Sequence, residues 1–161
     1  MAFESITDVQ IKDLLSSPKK ITNPGARLRN IEGRDQVNYK AIATDGSGHE
    51  FQIYKRQNTR EGMEDDFSCG ISWVAANGET LTLKRYNGSS HSHKNQIEDE
   101  LLTDTCHIHM ATERYIKANK KPESFAVEAD NYSTIEGALH CLVTECNISG
   151  IVTTPDNAKL F

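Results

Sequence analysis

The fold is decided by residues 67–83, which read FSCGISWVAANGETLTL. From position 67 to position 75 every second residue is apolar or small: Phe67, Cys69, Ile71, Trp73 and Ala75. Asn77 and Gly78 form a dipeptide that favours a two-residue type I′ turn, and Leu81 and Leu83 resume the alternation after it. The stretch therefore predicts an antiparallel β-hairpin with one buried face.

The alternating pattern continues on both sides of this hairpin. Upstream, every second residue from Val37 to Ala43 is apolar, a glycine-rich turn occupies 45–48, and Phe51 and Ile53 continue the pattern. This arrangement predicts a second hairpin. Three further segments are predicted strands: 105–112, 125–129 and, at a sheet edge, 27–34.

Two helices are predicted, one near each end of the chain. The first covers residues 7–16 and is stopped by Pro18. The second covers residues 134–146, where apolar side chains recur at helical spacing after a capping box formed by Ser133 and Glu136.

These elements predict an α+β fold, in which an antiparallel sheet of about five or six strands packs against an N-terminal and a C-terminal helix. The length of 161 residues suits a single domain over residues 1–161. Within it we expect an N-terminal helix and turn over 1–23, a core over 24–148 and a loosely ordered tail over 149–161.

Composition excludes several classes of protein. No run approaches the roughly 20 apolar residues that a membrane span needs, and the first residues lack the pattern of a signal peptide. We therefore expect a cytoplasmic protein without membrane contact, whose four cysteines are reduced thiols.

The net charge of −5 hides an uneven distribution. Residues 19–60 carry nine Lys or Arg against four Asp or Glu, whereas residues 61–161 carry eight against sixteen. A uniformly basic nucleic-acid binder is excluded, while a local basic stripe on an acidic protein remains open.

The histidines form the most distinctive pattern. Four of the six lie in two His-x-His pairs, His91 with His93 and His107 with His109. Residues two apart on a strand project to one face, so His107 and His109 should lie side by side, away from their apolar neighbours. The loop over 87–104 could bring the first pair close to the second.

Such a cluster suits acid and base catalysis of RNA cleavage. One imidazole would activate the 2′-hydroxyl and another would protonate the leaving oxygen, while cationic side chains would stabilise the phosphate. The candidate cations flank the histidine loop and end the first hairpin: Lys55, Arg56, Arg60, Lys84, Arg85 and Arg114.

Metal binding is the competing chemistry, because His-x-His on a strand can offer two nitrogens to one zinc or iron ion. The candidate ligands are His91, His93, His107 and His109, with Glu98, Asp99, Glu100 and Cys106 as possible additions. A third alternative is that the histidines are hydrogen-bonded structural groups.

The run from Arg85 to His91 has the pattern R-x-[DN]-G-x-x-H, and it is followed by Cys106-His107-Ile108-His109, Tyr115 and Cys146-Asn147-Ile148. In these residues, which lie within about 24–148, the chain resembles an uncharacterised family of small bacterial and prophage proteins. The family has one loop histidine where this chain has His91 and His93. The layout is also similar to that of the TumE family of small toxins, which implies action on RNA and a cognate antitoxin.

The leading hypothesis is a toxin-like, metal-independent endoribonuclease. His107 and His109 would be the acid and base, assisted by His91, and the substrate would be bound by Arg56, Arg85, Arg114 and Tyr115. No cofactor is expected, with zinc as the alternative. The rival function is a non-catalytic phage or mobile-element protein that binds another protein, such as a host protein, for which the acidic later part of the chain is the supporting feature.

Overall fold

The computed structural model describes residues 3–156. Three helices are present in this part of the chain: α1 (Asp8–Ser16), α2 (Glu113–Lys117) and α3 (Ile135–Glu145). The strands are β1 (Lys19–Ile21), β2 (Arg29–Ile31), β3 (Arg34–Ala43), β4 (Glu50–Asn58), β5 (Phe67–Val74), β6 (Thr80–Asn87), β7 (His93–Asn95), β8 (Glu100–Leu102), β9 (His107–Met110), β10 (Phe125–Glu128) and β11 (Ile148–Ser149).

The protein is a mixed α+β fold built on one large, mostly antiparallel sheet. Its strand order is β10-β9-β6-β5-β4-β3-β1-β11. The end of β3 pairs with β1, and its first three residues, 34–36, pair with β2. Strands β7 and β8 form a separate hairpin. The expected five or six strands are therefore too few. The predicted edge strand over 27–34 is present as β2, and the sheet also contains β1 and β11, whose three and two residues carry too little alternation to be recognised.

One face of the sheet, called here the helix face, carries the hydrophobic core. Ile53, Ile71 and Leu83 are fully buried there, together with Leu14 of α1 and Leu142 of α3. None of the helices in the described part of the chain is long and apolar enough to cross a membrane.

The start of α3 differs from the one predicted from sequence. The N-cap residue of α3 is Thr134, whose hydroxyl accepts a hydrogen bond from Gly137 N. The prediction of a capping box formed by Ser133 and Glu136 is therefore wrong. Asp156 completes this helix start by accepting hydrogen bonds from the backbone and hydroxyl groups of residues 133 and 134.

The chain after residue 148 is more ordered than a loose tail. Strand β11 pairs in parallel with β1, and the side chain of Ser149 donates to Lys19 O at 3.1 Å. The expected tail therefore begins later than Ser149, and its last part, residues 157–161, lies outside the described residues.

The opposite face of the sheet, called here the open face, is polar. Side chains opposite each other on neighbouring strands share a face, so the register defines two rows across it. The first row is Arg29, Gln36, Arg56, Ser68, Asn87 and His107. The second row is Asn38, Tyr54, Gly70, Arg85 and His109.

Candidate active site

Three histidine rings lie in contact at the β9 end of the open face. The ring centroids of His107 and His109 are 5.1 Å apart, and that of His93, from β7, is 4.5 Å from His109 and 5.9 Å from His107. The structure therefore brings together the two strand histidines and His93. The expectation that the loop could bring His91 and His93 close to the strand pair holds for His93, which was a candidate metal ligand and not a candidate catalytic residue.

Each ring has one nitrogen bonded to a backbone carbonyl. The bonds are His107 Nδ1 to Thr105 O (3.1 Å), His109 Nδ1 to Glu123 O (2.9 Å) and His93 Nε2 to Ser124 O (2.6 Å). Because a carbonyl only accepts, each bonded nitrogen carries a hydrogen and the other nitrogen of a neutral ring is an acceptor. The cluster therefore offers Nε2 of His107, Nε2 of His109 and Nδ1 of His93.

Burial keeps the two strand histidines neutral. His107 is 2% exposed and His109 is 3% exposed, so both side chains are almost fully buried. Desolvation lowers the pKa of His107, and together with the charge of Arg85 it lowers the pKa of His109 to about 3. At neutral pH both rings are therefore proton acceptors in the ligand-free protein.

The β7–β8 hairpin covers the cluster and is fastened to the edge of the sheet. Asn95 is buried, and its side-chain amide imitates a paired strand: Oδ1 accepts from Ala126 N at 2.8 Å, and Nδ2 donates to Ala126 O at 2.7 Å. This pairing holds His93, two residues earlier, against the two β9 rings. The alternation of His93 and Asn95 is the sequence signal that could have found this arrangement.

Arg85 is the cation of this site. It lies directly opposite His109 on the neighbouring strand and is half-buried. Within residues 3–156 it forms no ion pair or hydrogen bond, and its Nε atom is buried without a partner. Asn87 Oδ1, two residues along β6, is also buried without a partner. Unpartnered buried polar atoms are uncommon, and here a donor and an acceptor occur beside the histidines.

Replacing Arg85 with Met is expected to raise the pKa of His109 towards its ordinary value of 6.5, because the guanidinium charge is the largest cause of its lowering after burial. Titration of the histidine ring resonances by NMR would measure this change. Lys84→Met removes the neighbouring charge on the other face and should leave the His109 pKa unchanged. Equal His109 pKa values in Arg85→Met and the parent protein would contradict the assignment.

Arg56 extends the cationic surface towards β4. Its Nη2 donates to Ser68 Oγ at 3.3 Å, and its guanidinium carbon lies 5.8 Å from the centroid of the Tyr54 ring. The charges of both Arg85 and Arg56 lower the pKa of Tyr54 against the stronger effect of burial, so the three groups lie close together. Gly70 permits this packing, since a Cβ there would lie 2.9 Å from the Tyr54 ring.

The two Lys-Arg dipeptides of the sheet divide between its faces. Lys55 and Lys84 lie on the helix face, where they pair with Glu136 and Glu145 of α3 at 3.2 and 3.0 Å. The arginines that follow them lie on the open face, and neither forms an ion pair within the described chain. The basic stripe left open by the sequence therefore includes Arg56 but not Lys55.

The structure places His91 outside the ring cluster. Its side chain is 74% exposed, and Nε2 is 3.6 Å from Asp66 Oδ1. It makes no ring contact with the other histidines in the described part of the protein, although its charge contributes to the lowered pKa of His107.

Arg114 and Tyr115 belong to a different set of contacts. Tyr115 is buried and donates to Glu98 Oε1 at 2.5 Å, while Arg114 pairs with Oε2 of the same carboxylate. The Arg114 guanidinium carbon also lies 5.5 Å from the centroid of the Phe125 ring. These contacts connect α2 to the turn between β7 and β8, so both residues act in holding the hairpin.

The acidic candidates for metal binding are engaged elsewhere. Asp99 pairs with Lys94 at 2.9 Å, and Glu100 accepts from Asn95 at 3.0 Å, while Cys106 packs against the core. Among residues 3–156, no group of three or more His, Cys, Asp or Glu side chains has an arrangement that could hold a metal ion. The adjacent Arg85 charge would also repel a divalent cation.

Comparison of the chain with protein-family models, with curated proteins and with solved structures finds no match.

Proposed function

We propose that the protein is a metal-independent endoribonuclease whose active site is formed by His93, His107, His109 and Arg85. The observation that carries this proposal is that two buried imidazoles in ring contact lie beside Arg85, which is opposite His109 in the sheet and has no carboxylate partner within residues 3–156. An unpaired guanidinium favours an anion, and phosphate accepts its hydrogen bonds in the same way as a carboxylate does.

The chemistry assigned to the site is intramolecular phosphoryl transfer. The free Nε2 of His109 accepts the 2′-hydroxyl proton, the 2′-oxygen attacks the phosphorus, and the bond from phosphorus to the 5′-oxygen breaks. His107, in its protonated form, donates a proton to the departing 5′-oxygen. The products are a 2′,3′-cyclic phosphate and a 5′-hydroxyl, and DNA is not a substrate because it lacks the nucleophile.

Arg85 couples substrate binding to the protonation of the cluster. In the ligand-free protein its charge lowers the pKa of His107 and His109. A phosphodiester bound to the guanidinium offsets that charge and raises both pKa values, which allows one ring to become the acid. Charge that develops on the phosphate oxygens is then stabilised by the same guanidinium.

His93 takes the assisting role that the sequence analysis gave to His91. Its ring is in contact with both β9 histidines, and the hairpin that carries it shields them from solvent. Because His107 and His109 are almost fully buried, a substrate reaches their Nε2 atoms when the β7–β8 hairpin moves away from the sheet. Loop movement of this kind is common in enzymes that exclude water.

The direct test is incubation of the purified protein with a single-stranded RNA oligonucleotide in excess EDTA. We expect cleavage with 2′,3′-cyclic phosphate ends, identified by mass spectrometry, and no cleavage of an oligonucleotide whose sugars are all 2′-deoxy. Absence of cleavage from pH 4 to pH 9, with and without EDTA, would refute the proposal. Cleavage that EDTA abolishes would refute the metal-independent mechanism.

Zinc binding is a second candidate, and it requires these rings to rearrange, because no group of three or more His, Cys, Asp or Glu side chains within residues 3–156 is arranged to hold a metal ion. One observation favours it. Metal-bound histidines usually donate their other ring nitrogen to a carbonyl or carboxylate, and all three rings here donate to backbone carbonyls. Elemental analysis of the purified protein would separate the two proposals. Near-stoichiometric zinc that His107→Ala removes would favour the metal site.

A further inference from the structure

We infer that the open face binds single-stranded RNA beyond the scissile bond, with a nucleobase held in an amide-lined depression next to Tyr54. The inference rests on the proposed function for the choice of RNA. Two features carry it: the spacing of three arginines and the presence of free amide groups. Of these, the cleavage mechanism uses only Arg85.

The arginines provide a path for the phosphates. Arg85 lies on β6, Arg56 on β4 and Arg29 on β2, so successive arginines are two strands apart, or about 10 Å. None of them forms an ion pair within the described residues, and the two rows that contain them hold no carboxylate between Arg29 and His107. A polyanion can therefore follow the sheet without meeting a like charge.

The depression lies beside this line of arginines, over β3, β4 and β5, and has a volume of about 300 Å³. Its lining includes the Tyr54 ring and the side chains of Gln36, Asn38, Gln52 and Ser72. An aromatic ring can support a base by stacking, and amide groups can bond to the base edge. The depression therefore combines the two groups by which single-stranded bases are recognised.

Several amide atoms here are available to a ligand. Gln36 donates to Asn38 Oδ1 at 2.9 Å, which leaves Gln36 Oε1 and Asn38 Nδ2 free. The exposed Gln52 amide makes no hydrogen bond to the rest of residues 3–156. A side-chain amide presents one donor beside one acceptor, the pattern that pairs with adenine N7 and N6. We therefore assign adenine as the preferred base.

A second depression continues the path towards the edge of the sheet. It is lined by Arg27 and Arg29 and shares Asn23 and Asn38 with the first depression. Asn23 is not available for recognition, because its Oδ1 accepts from Lys40 N at 2.6 Å. The RNA is therefore expected to leave the amide site over Arg29, with its phosphates near the two arginines.

The inference is tested by RNA binding in the His107→Ala/His109→Ala protein, which keeps the open face and cannot cleave. Fluorescence anisotropy with labelled octamers of A, U and C, at several salt concentrations, should show at least about fivefold tighter binding of the adenine octamer. Gln52→Leu should remove this preference and leave the salt dependence unchanged.

Arg29→Ala should weaken the binding of all three octamers and reduce the slope of log K against log salt by about 0.7. Lys12→Ala, which removes one exposed charge from α1, is the matched control and should change neither quantity. Thermal unfolding of each variant would confirm that these exposed substitutions leave the protein folded.

Four results would each overturn the inference: equal affinity for the three octamers, equal affinity for duplex RNA, wild-type binding in both Gln52→Leu and Arg29→Ala, or no binding of RNA at low salt. Failure of the proposed function is distinguishable, since a wild-type protein that binds as described but leaves RNA intact retains the binding surface and loses only the cleavage chemistry.

Discussion

Simultaneous replacement of His107 and His109 by Ala is expected to reduce RNA cleavage by about a thousandfold or more. In the proposed mechanism each imidazole transfers a proton in the transition state, and such transfers each contribute a factor of about 10² to 10⁴. The measurement is the single-turnover rate of oligonucleotide cleavage. His49→Ala is the matched control, because His49 contacts Trp73 and lies outside the cluster. Retention of activity in the double variant would exclude the proposed mechanism.

The dependence of cleavage on pH tests the same assignment. His109 must be neutral to act as the base, and with its pKa at about 3 it stays neutral throughout the mildly acidic range. His107 must be protonated to act as the acid, and its pKa is below the ordinary value of 6.5. We therefore expect the maximum of kcat/KM on the acid side of pH 6.5. A maximum above pH 7.5 would contradict these roles.

Replacement of Lys19 by Met is expected to lower the free energy of unfolding by about 2 kcal/mol at pH 7. Lys19 is 1% exposed, and its ammonium donates to three backbone carbonyls, Leu15 O (2.9 Å), Ser17 O (2.6 Å) and Cys146 O (2.9 Å). These carbonyls lie at the ends of α1 and α3. Loss of the donor leaves buried acceptors unpaired, at a cost of roughly 1–3 kcal/mol each, partly offset by removal of a buried charge.

The effect of Lys19→Met should grow with pH. Burial lowers the pKa of Lys19 from 10.5 to about 8, so between these values the unfolded chain binds the proton and the folded protein does not. Stability contributed by this residue therefore rises with pH from 8 to 10.5, by up to about 3 kcal/mol. Urea unfolding of both proteins at pH 7 to 10 would measure it. Lys20→Met, at the exposed neighbour, should show no such trend.

The central part of the fold could be predicted from sequence because its strands are long. In residues 67–83 the alternation leads to β5 and β6 as observed, and the same holds for β3 and β4. The predicted type I′ turn is wrong, because Ala75 N bonds to Glu79 O across three residues and Gly78 (φ 88°), but not Asn77, has a positive φ. The predicted segments 27–34, 105–112 and 125–129 contain the short strands β2, β9 and β10, whereas β1, β7, β8 and β11 were not predicted. Strand β1 has three residues and pairs with residues of β11 that are more than 120 positions away in the chain. A contact at that separation leaves no pattern in the local sequence.

The candidate site could also be predicted only in part. Alternation places His107 and His109 on one face, and the structure has them on one face. The choice between His91 and His93 depended on Asn95, whose pairing with Ala126 holds the hairpin at the sheet edge. That pairing is tertiary, so the spacing of the histidines alone did not distinguish the cluster member from its exposed neighbour.

Successive side chains of β4 and β6 point to opposite faces of the sheet, so the two residues of each Lys-Arg pair have different roles. In Lys55-Arg56 and Lys84-Arg85, the first residue fastens α3 to the sheet and the second faces solvent on the other side. Removing the charge of either lysine is therefore expected to weaken the packing of α3 on the sheet. Removing the charge of either arginine is expected to weaken the proposed binding of an anion. Adjacent residues of the same charge therefore have different roles: the lysine contacts α3 on one side of the sheet, and the arginine is available to a ligand on the other.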